Sequence, residues 1–194
     1  MKLTTILKTS TLALITTLAL SSCGDDKKTT ETTTSSETTT NEKDEAQTIS
    51  LDAFIMKDAP ADTLDISAMR KTASPGDPVS FDGKIIGGKK VFVRNFAVMT
   101  VGDPKKLTSC DLKGGDCENC GTPWDVCCDD PDEIKANIVT VQIADDNGKP
   151  VKTGLKGFNG LKELSEVVIS GTVAKGSNKD NMIINATGIY VKTP

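Results

Sequence analysis

Five of the six cysteines in this 194-residue chain fall between positions 110 and 128, in the run CDLKGGDCENCGTPWDVCC, which also holds the only tryptophan, Trp124. Cys110 precedes Cys117 by seven residues, Cys117-Glu118-Asn119-Cys120 is a C-x-x-C, and Cys127-Cys128 are adjacent. Thiols at this density suit three chemistries: a thiolate metal site, a dithiol redox centre, or a set of disulfide staples. Four thiolates from Cys110, Cys117, Cys120, Cys127 and Cys128 would satisfy a tetrahedral zinc or a soft copper ion. Zinc ribbons, however, pair two C-x-x-C knuckles from separated hairpins, and the adjacent side chains of Cys127 and Cys128 are expected to point away from one another. A thioredoxin-type C-x-x-C opens a helix beside a strand. Here the motif sits among Gly and Asp.

Other chemistries find little support. The chain has no histidine, which removes the commonest general base and the usual Ser-His and Cys-His nucleophile pairs. No phosphate loop, dinucleotide fingerprint or His-based zinc motif occurs. Gly154-Leu155-Lys156-Gly157-Phe158-Asn159-Gly160 lacks phosphate-loop spacing, and the acidic pairs Asp129-Asp130 and Asp145-Asp146 lie in turn contexts that favour Asp for backbone reasons. The chain is therefore expected not to be an enzyme.

Five β-branched, alternating stretches bounded by turn residues must position the cysteines. They are predicted as strands over 79–86, 91–101, 137–144, 167–173 and 182–191. A helical turn is expected at Leu161–Leu164, between the third and fourth. This strand-strand-strand-helix-strand-strand order predicts an all-β domain with little helix, an OB-fold-like five-stranded Greek-key barrel. Gly83 and Gly171, inside strands, are expected at bends or bulges of a closed barrel. A short helix at 65–73, N-capped by Asp65 with Ile66, Met69 and Ala73 on one face, is expected to plug one mouth. The cysteines fall in an insertion of about residues 102–136 between the second and third strands. Loops this long are normally functional or stapled. Trp124 is expected to form a small private core there, and Trp124 with Asp125 is a candidate partner contact.

The N-terminus sets the address. MKLTTILKTSTLALITTLALSSC has Lys2 and Lys8 before an apolar run from Thr11 to Leu20, the pattern of an export signal over residues 1–22 and too short for a permanent span. Leu20-Ser21-Ser22-Cys23 resembles the bacterial lipobox, which implies cleavage after Ser22 and palmitate-type lipidation of Cys23. At about 0.8 kcal/mol per buried CH₂ the acyl chains would anchor the protein to the membrane. An Asp directly after the lipidated cysteine retains enteric lipoproteins in the inner membrane; Gly24 stands there, so the resemblance implies the outer membrane, facing periplasm or surface. The segment that follows the lipidated cysteine, completing residues 23–50, holds nine threonines and almost nothing apolar, the composition of a disordered tether with an end-to-end distance of roughly 30 Å. Residues 51–75 read as a lead-in and 76–194 as the barrel domain.

Charge is unevenly spread. Cys110 to Glu133 carries one lysine against eight acids, while the remainder of 76–194 carries fourteen basic residues against eight acids. No basic field wraps the domain, so nucleic acid is a disfavoured partner, and the aromatics available for base stacking, chiefly Phe81, Phe92, Phe96 and Tyr190, read more simply as core.

DISAMRKTASPGDPVSFDGKIIGG looks like the opening of small exported bacterial OB-fold proteins. From there to the C-terminus the chain is similar to OB-fold-like lipoproteins of planctomycete-type bacteria, on FVRNFAVMTVGDP, CGTPWDVCC, LKGFNGLKELS and INATGIYV. That group has no established activity, so the resemblance implies fold and address without a reaction. Its C-x-T-P-W-D-x-C-C pattern is matched by Cys120, Thr122, Pro123, Trp124, Asp125, Cys127 and Cys128, which implies Cys117 as the odd thiol. Export favours oxidised cysteines, with Cys110, Cys120, Cys127 and Cys128 as the candidate disulfide set and the pairing left open. One bridge over a 15-residue loop contributes about 3 kcal/mol.

Two functions follow from these features. The leading expectation is a lipid-anchored, non-catalytic binding or adaptor domain of the cell envelope, needing no cofactor, whose partner is an envelope protein or small ligand met by the second and third strands and the stapled loop. The alternative is a thiol-based metal or redox lipoprotein using all five clustered cysteines.

Overall fold

The computed structural model describes residues 49–193, apart from 115, 116, 118 and 119. The leader, Cys23 and the tether up to residue 48 lie outside the described residues. Six strands form one sheet: β1 (Leu64–Asp65), β2 (Pro78–Lys84), β3 (Val98–Gly102), β4 (Ile138–Gln142), β5 (Glu166–Val173) and β6 (Ile183–Val191). Their spatial order is β1-β2-β3-β4-β6-β5, and a further β2–β5 pairing closes the last five into a barrel. Pairing is antiparallel except between β4 and β6 and between the two-residue β1 and β2. A five-stranded mixed barrel with this connectivity is OB-fold-like, as the element order predicts.

Alternation fills the barrel. Phe81, Met99, Val101, Val139, Val141, Val167, Ile169, Ile184 and Ile189 are buried, and α1 (Ile66–Thr72) drives Ile66 and Met69 into the same core. In β6 the inward positions switch from even numbers (Ile184, Ala186) to odd (Ile189). The cause is a bulge: Gly171 pairs with Ala186 while Ser170 pairs with Gly188, leaving exposed Thr187 without a partner residue in the register. Such an extra residue bends the strand and helps the sheet close. At Gly171 an added Cβ would lie 2.4 Å from the Asn185 carbonyl oxygen, and at Gly83 it would lie 2.3 Å from Val101 Cγ1. Both glycines are close-approach points of the closed barrel.

Three local expectations are corrected. The second strand is not continuous over 91–101: Val93 N–H donates to Val98 and Thr100 N–H to Val91, so Val91–Thr100 is a hairpin turning through Arg94-Asn95, and β3 starts at Val98. No helix forms at Leu161–Leu164. A single 3₁₀ turn at Phe158–Gly160 stands between β4 and β5, and Leu164 adopts φ +68°, which ends any helical path. Asp65 occupies the N-cap position of α1 but its side chain does not cap; its carboxylate instead accepts from Lys105 at 2.7 Å.

Candidate functional site

The segment between β3 and β4 is held by ordinary non-covalent contacts. Gly87 N–H donates to Trp124 and Val126 N–H to Gly87, tying residues 124–126 to the segment that follows β2; Cys110 N–H donates to Asp125 and Asp111 N–H to Pro123, pairing the two limbs of the loop. Beneath them Ile86, Leu107 and Val126 form a satellite core joined by Ile134, Ile138 and Trp124. Trp124 is half-buried, packs on both cores and donates its indole N–H to the Lys89 carbonyl at 3.3 Å. It therefore links the loop to the barrel core and is not the centre of a core private to the loop.

Two further devices complete the frame. Asp129 accepts from Lys113 Nζ at 2.6 Å and from Thr108 N–H at 2.8 Å, bridging the start of the loop to its end. The helix α2 (Pro131–Ala136) then leads into β4, capped by the Asp130 carboxylate, which accepts from Asp132 N–H and Glu133 N–H. This helix lies within the segment expected to be a loop. Its signal was present: an Asp N-cap, Pro at the first helical position and acids in the first turn.

These contacts bring the thiols together. The sulfurs of Cys110, Cys117 and Cys128 all lie within 4.8 Å of one another. Cys117 Sγ is 3.3 Å from Cys128 Sγ, and Cys127 Sγ is 4.0 Å from Cys128 Sγ. Cys127 and Cys128 therefore do not diverge. They sit in a turn closed by Asp129 N–H to Val126, and side-chain alternation holds only in extended backbone. The cluster is graded in exposure, from Cys110 at 2% through half-buried Cys117 and Cys120 to exposed Cys127 and Cys128. It is thus open to solvent on one side.

The thiols differ in acidity. Burial pushes the Cys110 thiol well up, and the nearby thiols of Cys117, Cys120 and Cys127 reinforce that shift. Cys117 and Cys127 are raised chiefly by their contacts with Cys128. Cys120 is lowered, first by the Thr122 hydroxyl and then by the Thr122 backbone; its sulfur lies 3.4 Å from that oxygen. Cys120 consequently ionises more readily than Cys110, Cys117 or Cys127.

The cysteine named as the odd thiol, Cys117, is half of the closest thiol pair. Asp125, named with Trp124 as a partner contact, is 3% exposed and turns its charge toward Cys120 and Cys127. Of the aromatics weighed for base stacking, Phe81 is wholly buried, Phe92 packs on the core and Phe96 is exposed. The satellite core was not foreseen, because Ile86, Leu107 and Val126 are isolated apolar residues far apart in sequence. Fold and site define a small closed five-stranded barrel carrying a five-thiol cluster in one long connection. No family model, curated protein or solved structure matches this chain.

Proposed function

We propose that this chain is an exported, lipid-anchored protein of the cell envelope whose OB-fold-like barrel is a non-catalytic carrier for a thiol centre that holds a soft metal ion. The observation that carries the reading is the mutual approach of Cys110, Cys117 and Cys128 to within 4.8 Å. Thiolates around a metal at about 2.3 Å stand about 3.8 Å apart in a tetrahedral site, so small side-chain movements convert the cluster into a ligand set. Cys127 or Cys120 supplies a fourth sulfur. A cation would reverse the upward shifts of Cys110, Cys117 and Cys127, because each ligand gives up its proton on binding.

The lipobox-like Leu20-Ser21-Ser22-Cys23 and the resemblance to OB-fold-like envelope lipoproteins support the address. The absence of histidine from the sequence and the thiol-only donor set favour copper(I) or zinc over harder ions. A second reading, a disulfide-stapled adaptor loop, is favoured by one contact: Cys117 and Cys128 at 3.3 Å are the pair nearest to bonding distance. Mass spectrometry and elemental analysis of the chain isolated without reductant separate the two. Free thiols with stoichiometric metal support the metal centre. A mass lower by about four protons without metal rejects it in favour of two disulfides.

A further inference from the structure

A cavity of about 690 Å³ opens at the side of the barrel bounded by α1, α2 and the β5–β6 hairpin. It lies outside the thiol cluster and shares no cysteine with it. Its size falls within the range of small-molecule sites, about 300–1,000 Å³. Four cations from three separate segments line it: Arg70 and Lys71 of α1, Lys106 of the turn after β3, and Lys179 of the hairpin. Glu133 of α2 is the one acid in the lining, and it already accepts from the Asn137 side chain at 3.0 Å. Asp180 nearby is engaged by Lys135 at 2.7 Å.

One of the four cations is built into the fold, while Lys71, Lys106 and Lys179 are exposed at the rim. Arg70 is half-buried and its guanidinium donates to two backbone carbonyls, Ile138 at 2.9 Å and Lys179 at 2.6 Å. It is thereby fixed across the joint between β4 and the hairpin, and burial lowers its pKa because the charge is partly stripped of water. Among the described residues Lys71, Lys106 and Lys179 take part in none of the ion pairs. Ser67 and Ser74 add hydroxyls to the same lining, whereas the Ser177 hydroxyl donates to the Ile183 carbonyl at 3.0 Å. In a chain of net charge -4 a cavity with four cations and one acid is a local reversal of sign. Ammonium groups as point charges beside small hydroxyl donors suit a tetrahedral oxyanion.

We propose that this cavity binds a ligand bearing a phosphate or sulfate ester, with Lys71, Lys106 and Lys179 pairing its oxyanion and Arg70 positioning the hairpin that carries Lys179. The ester is either a free solute or a lipid headgroup. The chain from Gly24 to Pro194 is titrated by calorimetry with glycerol 3-phosphate, with glycerol as the neutral control, and is sedimented in parallel with phosphatidylglycerol vesicles. Binding of the soluble ester assigns a solute, and binding of vesicles alone assigns a headgroup. In either case Lys71→Gln with Lys179→Gln is expected to weaken binding at least about tenfold, the loss of roughly one charge-assisted hydrogen bond, while the melting temperature stays put. Failure of both arms overturns the proposal, as does equal affinity in the double variant.

Discussion

Gly171→Ala tests the closed barrel most sharply. The new Cβ would stand 2.4 Å from the Asn185 carbonyl oxygen and 3.0 Å from Ala186 Cα. Both are backbone atoms of β6, so no side chain can swing aside, and β5 and β6 must part at the bulge that bends the sheet. Overpacking of this kind costs about 3 kcal/mol. Restricting the unfolded chain returns about 0.7 kcal/mol, leaving a net loss of about 2 kcal/mol. With a urea slope of about 2 kcal/mol/M, the unfolding midpoint should fall by about 1 M at unchanged slope, read by circular dichroism and by Trp124 fluorescence. Gly176→Ala is the matched control: nothing lies within 4 Å of its added Cβ, so its midpoint should hold or rise slightly. Equal midpoints for the two variants would refute close approach of β5 and β6 at the bulge.

Three further outcomes follow from the loop. Leu107→Ala empties the satellite core under the thiols and should cost about 2–3 kcal/mol, with a red shift of Trp124 emission as the loop loosens; unchanged emission would contradict the packing. Asp130→Ala removes the cap that accepts from Asp132 and Glu133 and should lower the urea midpoint by about 0.5 M, the equivalent of about 1 kcal/mol, without altering thiol chemistry. In the reduced, metal-free chain the folded state keeps Cys110, Cys117 and Cys127 protonated where unfolded thiols ionise, their folded pKa values being raised. Stability is therefore retained below an unfolded thiol pKa of about 8.5 and lost as pH rises beyond it, visible as a melting temperature that declines above that pH and declines less in Cys110→Ser.

The strands were legible because β-branched residues alternate where one face meets the core: Val139 and Val141, or Val167 and Ile169, announce their strands at sight. Gly83 and Gly171 were legible for the opposite reason, as interruptions that only a close approach explains. The hairpin at Arg94-Asn95 was hidden because apolar residues flank it on both sides, so that two polar residues read as the solvent-facing positions of one continuous strand. The Leu161–Leu164 turn had helix-forming residues, yet Leu164 is left-handed and gives its N–H to the Ile85 carbonyl across the fold, a contact the local sequence does not reveal. The thiol cluster was half legible. Spacing showed five cysteines in one loop, but their convergence depends on the turn at Val126–Asp129 and on apolar residues far away in sequence. The cationic cavity was invisible, since Arg70, Lys106 and Lys179 meet only when the barrel closes.

The thiol centre itself is tested most directly by titrating the reduced, metal-free chain from Gly24 to Pro194 with cobalt(II) under anaerobic conditions, following the thiolate-to-metal charge-transfer absorption. The account predicts one equivalent bound, a near-ultraviolet band typical of thiolate ligation, release of protons on binding, affinity that weakens as pH falls, and loss of the band in Cys110→Ser and Cys128→Ser. A chain that stays folded and fully reduced yet develops no charge-transfer band would contradict it.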